Sequence, residues 1–173
     1  MIIIFGAGII GLFSGYELLK KGKKVKILDA QGIKADATNA AVGMLAPLIE
    51  AKPQEKEIFD LMYESKKNWE ENFKNEKNRI LVGFKNNNAL MVALNKDDEE
   101  RLKFKKRFYK KIGFETKFLN ANETLKIEPS LNSNVLCSLL CQNQDQVNPM
   151  LLKNFLTKEI KSLGGEILKI RKI

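Results

Sequence analysis

Residues 1–19 read MIIIFGAGIIGLFSGYELL, and this stretch decides the fold. A secretory leader needs a basic start, an apolar stretch and a small-residue cleavage site. Here no basic residue precedes the apolar run, which Gly6, Gly8 and Gly11 interrupt and Glu17 and Lys20 close. An uninterrupted span of about 20 apolar residues, the length a membrane helix requires, is therefore absent. The same residues fit a strand, a turn and a helix. Residues 2–5 are β-branched and aromatic, as in a strand buried in a parallel sheet. Residues 6–11 spell GxGxxG. Its first glycine permits a tight turn, its second lets backbone approach a pyrophosphate, and its third lets helix pack closely on strand.

The surrounding sequence supports that reading. A helical pattern over 9–21 ends near Gly22, and KVKILD at 24–29 alternates like a second strand. Asp29 follows Gly11 by 18 residues, where a carboxylate accepts hydrogen bonds from adenosine ribose hydroxyls and repels a 2′-phosphate. Backbone around Gly6, Gly8, Ile9, Ile10 and Gly11, with Asp29 at the next strand's end, is thus predicted to hold a dinucleotide other than NADP.

Composition narrows the chemistry. Of the 173 residues 44% are apolar, enough for a core, and the net charge of +9 comes from lysines interleaved with acids rather than from a basic patch. No nucleic-acid partner is expected from that distribution. The chain has no histidine, so histidine-dependent triads and HExxH zinc sites are excluded within it. Cys137 and Cys141 sit in VLCSLLC with neither zinc-knuckle nor redox spacing and read as buried strand thiols in a reducing, cytoplasmic setting. No metal site is predicted.

The path after the second strand separates NAD from FAD. An NAD domain would add a helix and a third parallel strand within about 30 residues. This chain instead enters GIKADATNAAVGMLAPLIE at 32–50. A helix over about 54–75 follows, with Ile58, Leu61, Met62, Ser65, Trp69 and Phe73 on one stripe. RILVGFKNNNALMVALN (79–95) predicts two strands about an Asn-rich turn, and 97–112 a helix with Phe104, Phe108 and Ile112 on one side. Strand-like pieces recur near 115–119 and 135–141. A proline-started helix from Pro149, a stop at Gly164-Gly165 and a strand at 166–170 complete the pattern. The expectation is an α/β chain: a cofactor domain over 1–76, an inserted domain over 77–146, and a return to the cofactor domain over 147–173.

ATNAAVGMLAP (37–47) resembles the loop after the second strand in the D-amino-acid-oxidase-like family of FAD-dependent oxidoreductases, closest to its glycine-oxidase branch. ALMVALNKDDEERL, IEPSL and QVNPMLLKNFL are similar to the same branch in the same order, so the likeness covers essentially the whole chain. It implies a Rossmann-like FAD-binding domain, an inserted α+β substrate domain, and a complete protein of roughly twice this length, so that the fold is expected to be incomplete at the C-terminus. It further implies FAD contacts from Ile9, Ile10, Asp29, Ala30, Thr38, Val42, Gly43 and Met44; Asp29 stands where the family more usually has glutamate. The loop itself agrees: Thr38 and Asn39 offer hydrogen bonds, and Ala40, Ala41 and Gly43 let backbone lie against a flat ring. Met44 reads equally as a core filler.

By resemblance the complete protein oxidises the C–N bond of glycine or another small amino acid or amine by hydride transfer to flavin, in thiamine biosynthesis. The carboxylate-clamping arginine falls beyond residue 173, so the catalytic residues stay unknown and the 173-residue chain alone is expected to be inactive. A D-amino-acid or sarcosine-type dehydrogenase, and a truncated non-catalytic dinucleotide-binding fragment, remain open alternatives, as does a homo-oligomer.

Overall fold

The computed structural model describes residues 1–30 and 37–170. β1 (Ile2–Phe5) leads into α1 (Ile9–Lys20), then β2 (Val25–Ala30) and a single helical turn, α2 (Ala37–Ala40). β3 (Met44–Leu45), α3 (Pro47–Glu50), α4 (Lys56–Asn72) and α5 (Glu76–Val82) follow. Next come β4 (Ala89–Ala93), α6 (Lys96–Lys111), β5 (Lys117–Asn120), α7 (Ala121–Ile127) and β6 (Cys137–Cys141). β7 (Asp145–Gln146), α8 (Pro149–Ser162) and β8 (Glu166–Ile170) complete this α/β order.

Internal contacts divide the chain into two units. The first comprises the described parts of Met1–Gly43, Phe73–Phe84 and Val147–Ile173; the second comprises Met44–Asn72 and Lys85–Gln146. This partition differs from the expected one at 76/77. Residues 44–72 belong with the second unit because Leu48 and Phe59 join its core, and 77–84 belong with the first because Phe84 stacks on Phe73, which in turn meets Phe155.

In the first unit, β1, β2 and β8 form a parallel sheet in the order β1-β2-β8, with Ile4 opposite Ile27 and Ile27 opposite Ile167. α1 and α8 pack together and bury Leu12, Leu19, Leu152, Leu156 and Ile160. These positions recur at helical spacing, as a buried stripe must. Asn148 caps α8 by accepting from the Met150 and Leu151 N–H groups, with Pro149 at a position that needs no N–H.

The second unit is built on an antiparallel sheet in the order β4-β6-β5. Its β6 thiols, Cys137 and Cys141, are both buried in one core with Leu139, Ala93, Leu102, Tyr109, Leu48 and Phe59. On the opposite face of β6, the Ser138 hydroxyl meets Thr124 Oγ1 of α7 at 2.8 Å.

Three local expectations are corrected. Residues 79–84 are not a strand: Asn75 accepts from Lys77 N and starts α5, and the Gly83 and Phe84 N–H groups close it on Ile80 and Arg79 carbonyls. Local capping overrides the β-branched composition. On α4 the buried side is Phe59 and Lys66, whereas Ile58 and Leu61 of the predicted stripe are exposed and Phe73 lies past the helix end. Phe59 and Tyr63 turn inward because they stack on each other and meet Phe114 edge-on. On α6, Phe108 and Ile112 of the expected side do pack against the core, but Phe104 is half exposed and the buried positions are Leu102 and Tyr109.

Burial pushes the Cys141 thiol up to about 11, and burial raises Cys137 as well. Both are therefore neutral thiols at pH 8 and poor nucleophiles. Iodoacetamide at pH 8 should leave the native chain unlabelled and modify both cysteines in denaturant, as read by mass spectrometry. Because the unfolded thiol ionises first, folding stability should fall between the ordinary 9.0 and about 11.

Candidate functional site

The β1–α1 turn is shaped by two glycines. Gly6 adopts φ +99°, a conformation that a side chain rarely permits. A Cβ on Gly11 would stand 2.0 Å from the Gly6 carbonyl oxygen, so the first turn of α1 sits directly against the end of β1. The Gly6 N–H donates to Leu28 O at 2.7 Å, which continues the β1–β2 ladder into the turn.

Two side chains from elsewhere converge on this turn. Asp29, at the end of β2, accepts the Ala7 N–H on Oδ1 at 3.0 Å. Thr38, buried on α2, accepts the Ile9 N–H on Oγ1 at 3.0 Å. Gly8 is the N-cap and supplies no side-chain cap; a Cβ there would touch Thr38 Oγ1 at 3.7 Å. Helix-start amides lack intrahelical acceptors, and the first turn of α1 carries no acidic residue, so the positive end of the helix is available to an anion. Glycine turn, helix start and adjacent carboxylate fit the diphosphate and ribose of a dinucleotide.

The other predicted positions fall as follows. Ile10 is 81% exposed at the helix start, and Val42 is also exposed. Ala30 ends β2 opposite Ile170, and Asn39 lies exposed on α2. Gly43 has a structural requirement of its own: a Cβ there would be 2.0 Å from Val147 O, whose residue also donates its N–H to Gly43 O at 2.9 Å. Met44 begins the second unit, where it is 53% exposed rather than core filler.

Within that second unit, Met44 lines a cavity of about 350 Å³ walled on one side by β3 and α3 and on the other by Leu61, Met62 and Trp69 of α4. Leu61, Met62, Ser65 and Trp69 of the predicted stripe thus face a cavity, while Phe73 is buried in the first unit's core. Lys66, also at its wall, reaches the fully buried Asp145 Oδ2 at 2.9 Å and Glu70 at 3.1 Å. Burial works against the ammonium, but the hydrogen bonds to Asp145 and Glu70 outweigh it and hold Lys66 above its ordinary range. Asp145 Oδ1 accepts from Asn86 Nδ2 at 3.3 Å, and the neighbouring Gln144 accepts the Leu48 N–H at 3.2 Å. Residues 144 and 145 therefore tie both walls of the cavity to β7.

Sequence reasoning missed Ala7, whose amide holds Asp29, and the pair Lys66–Asp145. No sequence signal distinguishes Lys66 from its neighbour Lys67, so the pair was not to be found from sequence alone.

The model of the family described as FAD dependent oxidoreductase (DAO) matches residues 1–172. A glycine oxidase of Bacillus licheniformis is 25% identical over 172 residues, covering 96% of this chain and 44% of that protein. Among solved structures, glycine oxidase from Bacillus cereus superposes with a TM-score of 0.83 at 23% identity, over 96% of this chain and 45% of the other. Dithionite-reduced L-α-glycerophosphate oxidase from Mycoplasma pneumoniae with FAD bound gives 0.79 at 22% identity, over 96% and 44%. This chain thus spans less than half the length of these relatives. FAD is the cofactor of the family.

Gly11→Ala should weaken FAD binding by at least about tenfold, measured by equilibrium titration, the equivalent of losing one charge-assisted hydrogen bond. Lys66→Met, which strands a buried carboxylate, should cost about 3–5 kcal/mol in chemical denaturation. Replacing Asp145 by Leu in the same chain should restore most of that loss.

Proposed function

This chain belongs to the FAD-dependent oxidoreductase family, and from that premise we propose that the protein it represents oxidises the C–N bond of a small amino acid or amine in the manner of glycine oxidase. The carrying observation is the Asp29–Ala7 hydrogen bond, which sets a carboxylate beside the glycine turn at a helix start. In this reading the first unit is a Rossmann-like cofactor domain and the second an inserted substrate domain.

The roles follow from position. Gly6, Gly8, Ile9, Ile10 and Gly11 border the diphosphate, the Gly6 and Ile9 N–H groups being held by Leu28 O and Thr38, and Asp29 accepts from ribose hydroxyls through the lone pairs Ala7 leaves free. Thr38, already seated at the Ile9 amide, turns its hydroxyl hydrogen toward bound anion. Ala30, Asn39, Val42, Gly43 and Met44 border the rest of the cofactor, as the family resemblance assigns them. When bound, FAD supplies the redox chemistry, taking hydride from the carbon beside nitrogen and delivering the electron pair to oxygen. The chain's own part is to bind and orient, which requires no histidine. A role in thiamine synthesis accompanies this reading, as does a cytoplasmic setting. Among the described residues no helix is long and apolar enough to cross a membrane.

The full-length protein, mixed with FAD, should show visible flavin absorption and release one hydrogen peroxide per amine consumed in air. Flavin bands with bleaching but no peroxide would indicate a dehydrogenase instead. Absence of the bands would remove the cofactor assignment for this protein.

A further inference from the structure

We propose that the cavity beside Met44 takes an organic ammonium with a bulky apolar body, in preference to glycine. Calling that ligand the substrate rests on the function proposed above; the cavity's selectivity rests on its own residues.

The volume of about 350 Å³ falls in the range of small-molecule sites, and its walls include Met44, Leu61, Met62 and Trp69. Met44 and Leu61 keep 53% and 69% of their surface exposed, so apolar area remains there for a ligand to cover. A ligand without an apolar body would leave that area wet and gain nothing from it.

The charges favour a cation. Glu50 lines the same cavity. The Lys66 ammonium is already shared between Asp145 and Glu70, so an anionic ligand would compete with two carboxylates for it. Lys105, whose Nζ donates to Ile49 O, acts on Glu50 and offsets part of its charge. Of the two charged side chains that line the cavity, Lys66 is thus engaged by carboxylates and Glu50 is the one a ligand meets. Trp69 stands in the same wall as Leu61 and Met62. Methionine walls add a polarisable surface that adapts to substituents of different shape.

Benzylamine titrated into the full-length protein should give saturable binding by calorimetry. Benzyl alcohol should bind about fivefold more weakly, the size expected for losing one exposed ion-pair contact. Phenylacetate and glycine should give no response over the same concentrations. Leu61→Lys, at a position exposed enough to leave folding intact by circular dichroism, should raise the benzylamine Kd by about fivefold or more through like-charge repulsion. In the full-length holoenzyme the same substitution should raise KM for benzylamine without changing FAD affinity. Equal binding of alcohol and amine, a response to glycine matching that to benzylamine, no saturable signal, or an unchanged Kd in Leu61→Lys would each overturn the proposal. A normal benzylamine response in a protein that never takes up FAD would instead count against the proposed function alone.

Discussion

Gly6 turns the chain out of β1 with φ +99°, and its carbonyl oxygen occupies the volume that a side chain on Gly11 would need. Everything else in the first unit is arranged around that contact. Because α1 starts in touch with β1, the Ala7 and Ile9 amides point out of the turn at fixed positions. Asp29 reaches one from the end of β2 and Thr38 reaches the other from α2. Two segments distant in sequence are thereby anchored to one turn by two hydrogen bonds. Each such bond contributes only about 0.5–1.5 kcal/mol net, so the anchoring relies on the packed α1–α8 layer beneath for its rigidity.

The second unit depends on a costlier interaction. Asp145 is fully buried, and a lone carboxylate there would carry a large desolvation penalty. Lys66 neutralises it, and Asn86 and Asn87 donate to its other oxygen. A buried ion pair is weak evidence for stability, since apolar replacements often do as well. What it does supply is register. Asp145 sits opposite Leu45 in the β3–β7 ladder, so the pair links α4 to the strand that carries Met44. An apolar pair of similar volume would permit several offsets of α4; two charges with three further partners, Glu70, Asn86 and Asn87, permit fewer.

The parts legible in sequence are those whose cause is local. A glycine spacing, an alternating strand and an acid at its end require only neighbours a few residues away, so β1, α1 and β2 and the residues of their turn could be named from the chain. The same holds for α8, with Asn148, Pro149 and the Gly164 stop in order. The errors fall where a distant partner decides. Ile80 and Val82 have strand-like side chains, but Asn75 and the closure on Arg79 impose a helix. Ile58 and Leu61 have core-like side chains, but Phe114, some fifty positions away, draws Phe59 and Tyr63 inward instead. The Lys66–Asp145 pair spans 79 positions and has no local signature.

One face of the parallel sheet bears on how these parts combine. Ile4, Val25 and Ile27 point toward the helices, whereas Ile3 and Phe5 on the other face are 50% and 76% exposed and Leu168 is 42% exposed. Phe5 lies beside Leu28, and Leu28 beside Leu168, so this is a continuous apolar row across all three strands. Only the Lys26–Glu166 ion pair, at its lower end, is suited to water. Parallel sheets occur with both faces covered because their strands are apolar on both sides. A row of this kind is therefore unfavourable to leave in water, and the strand residues themselves, chosen for burial on two faces, specify a second covering layer. The sheet thus has one face packed under α1 and α8 and another whose strand residues are equally suited to burial.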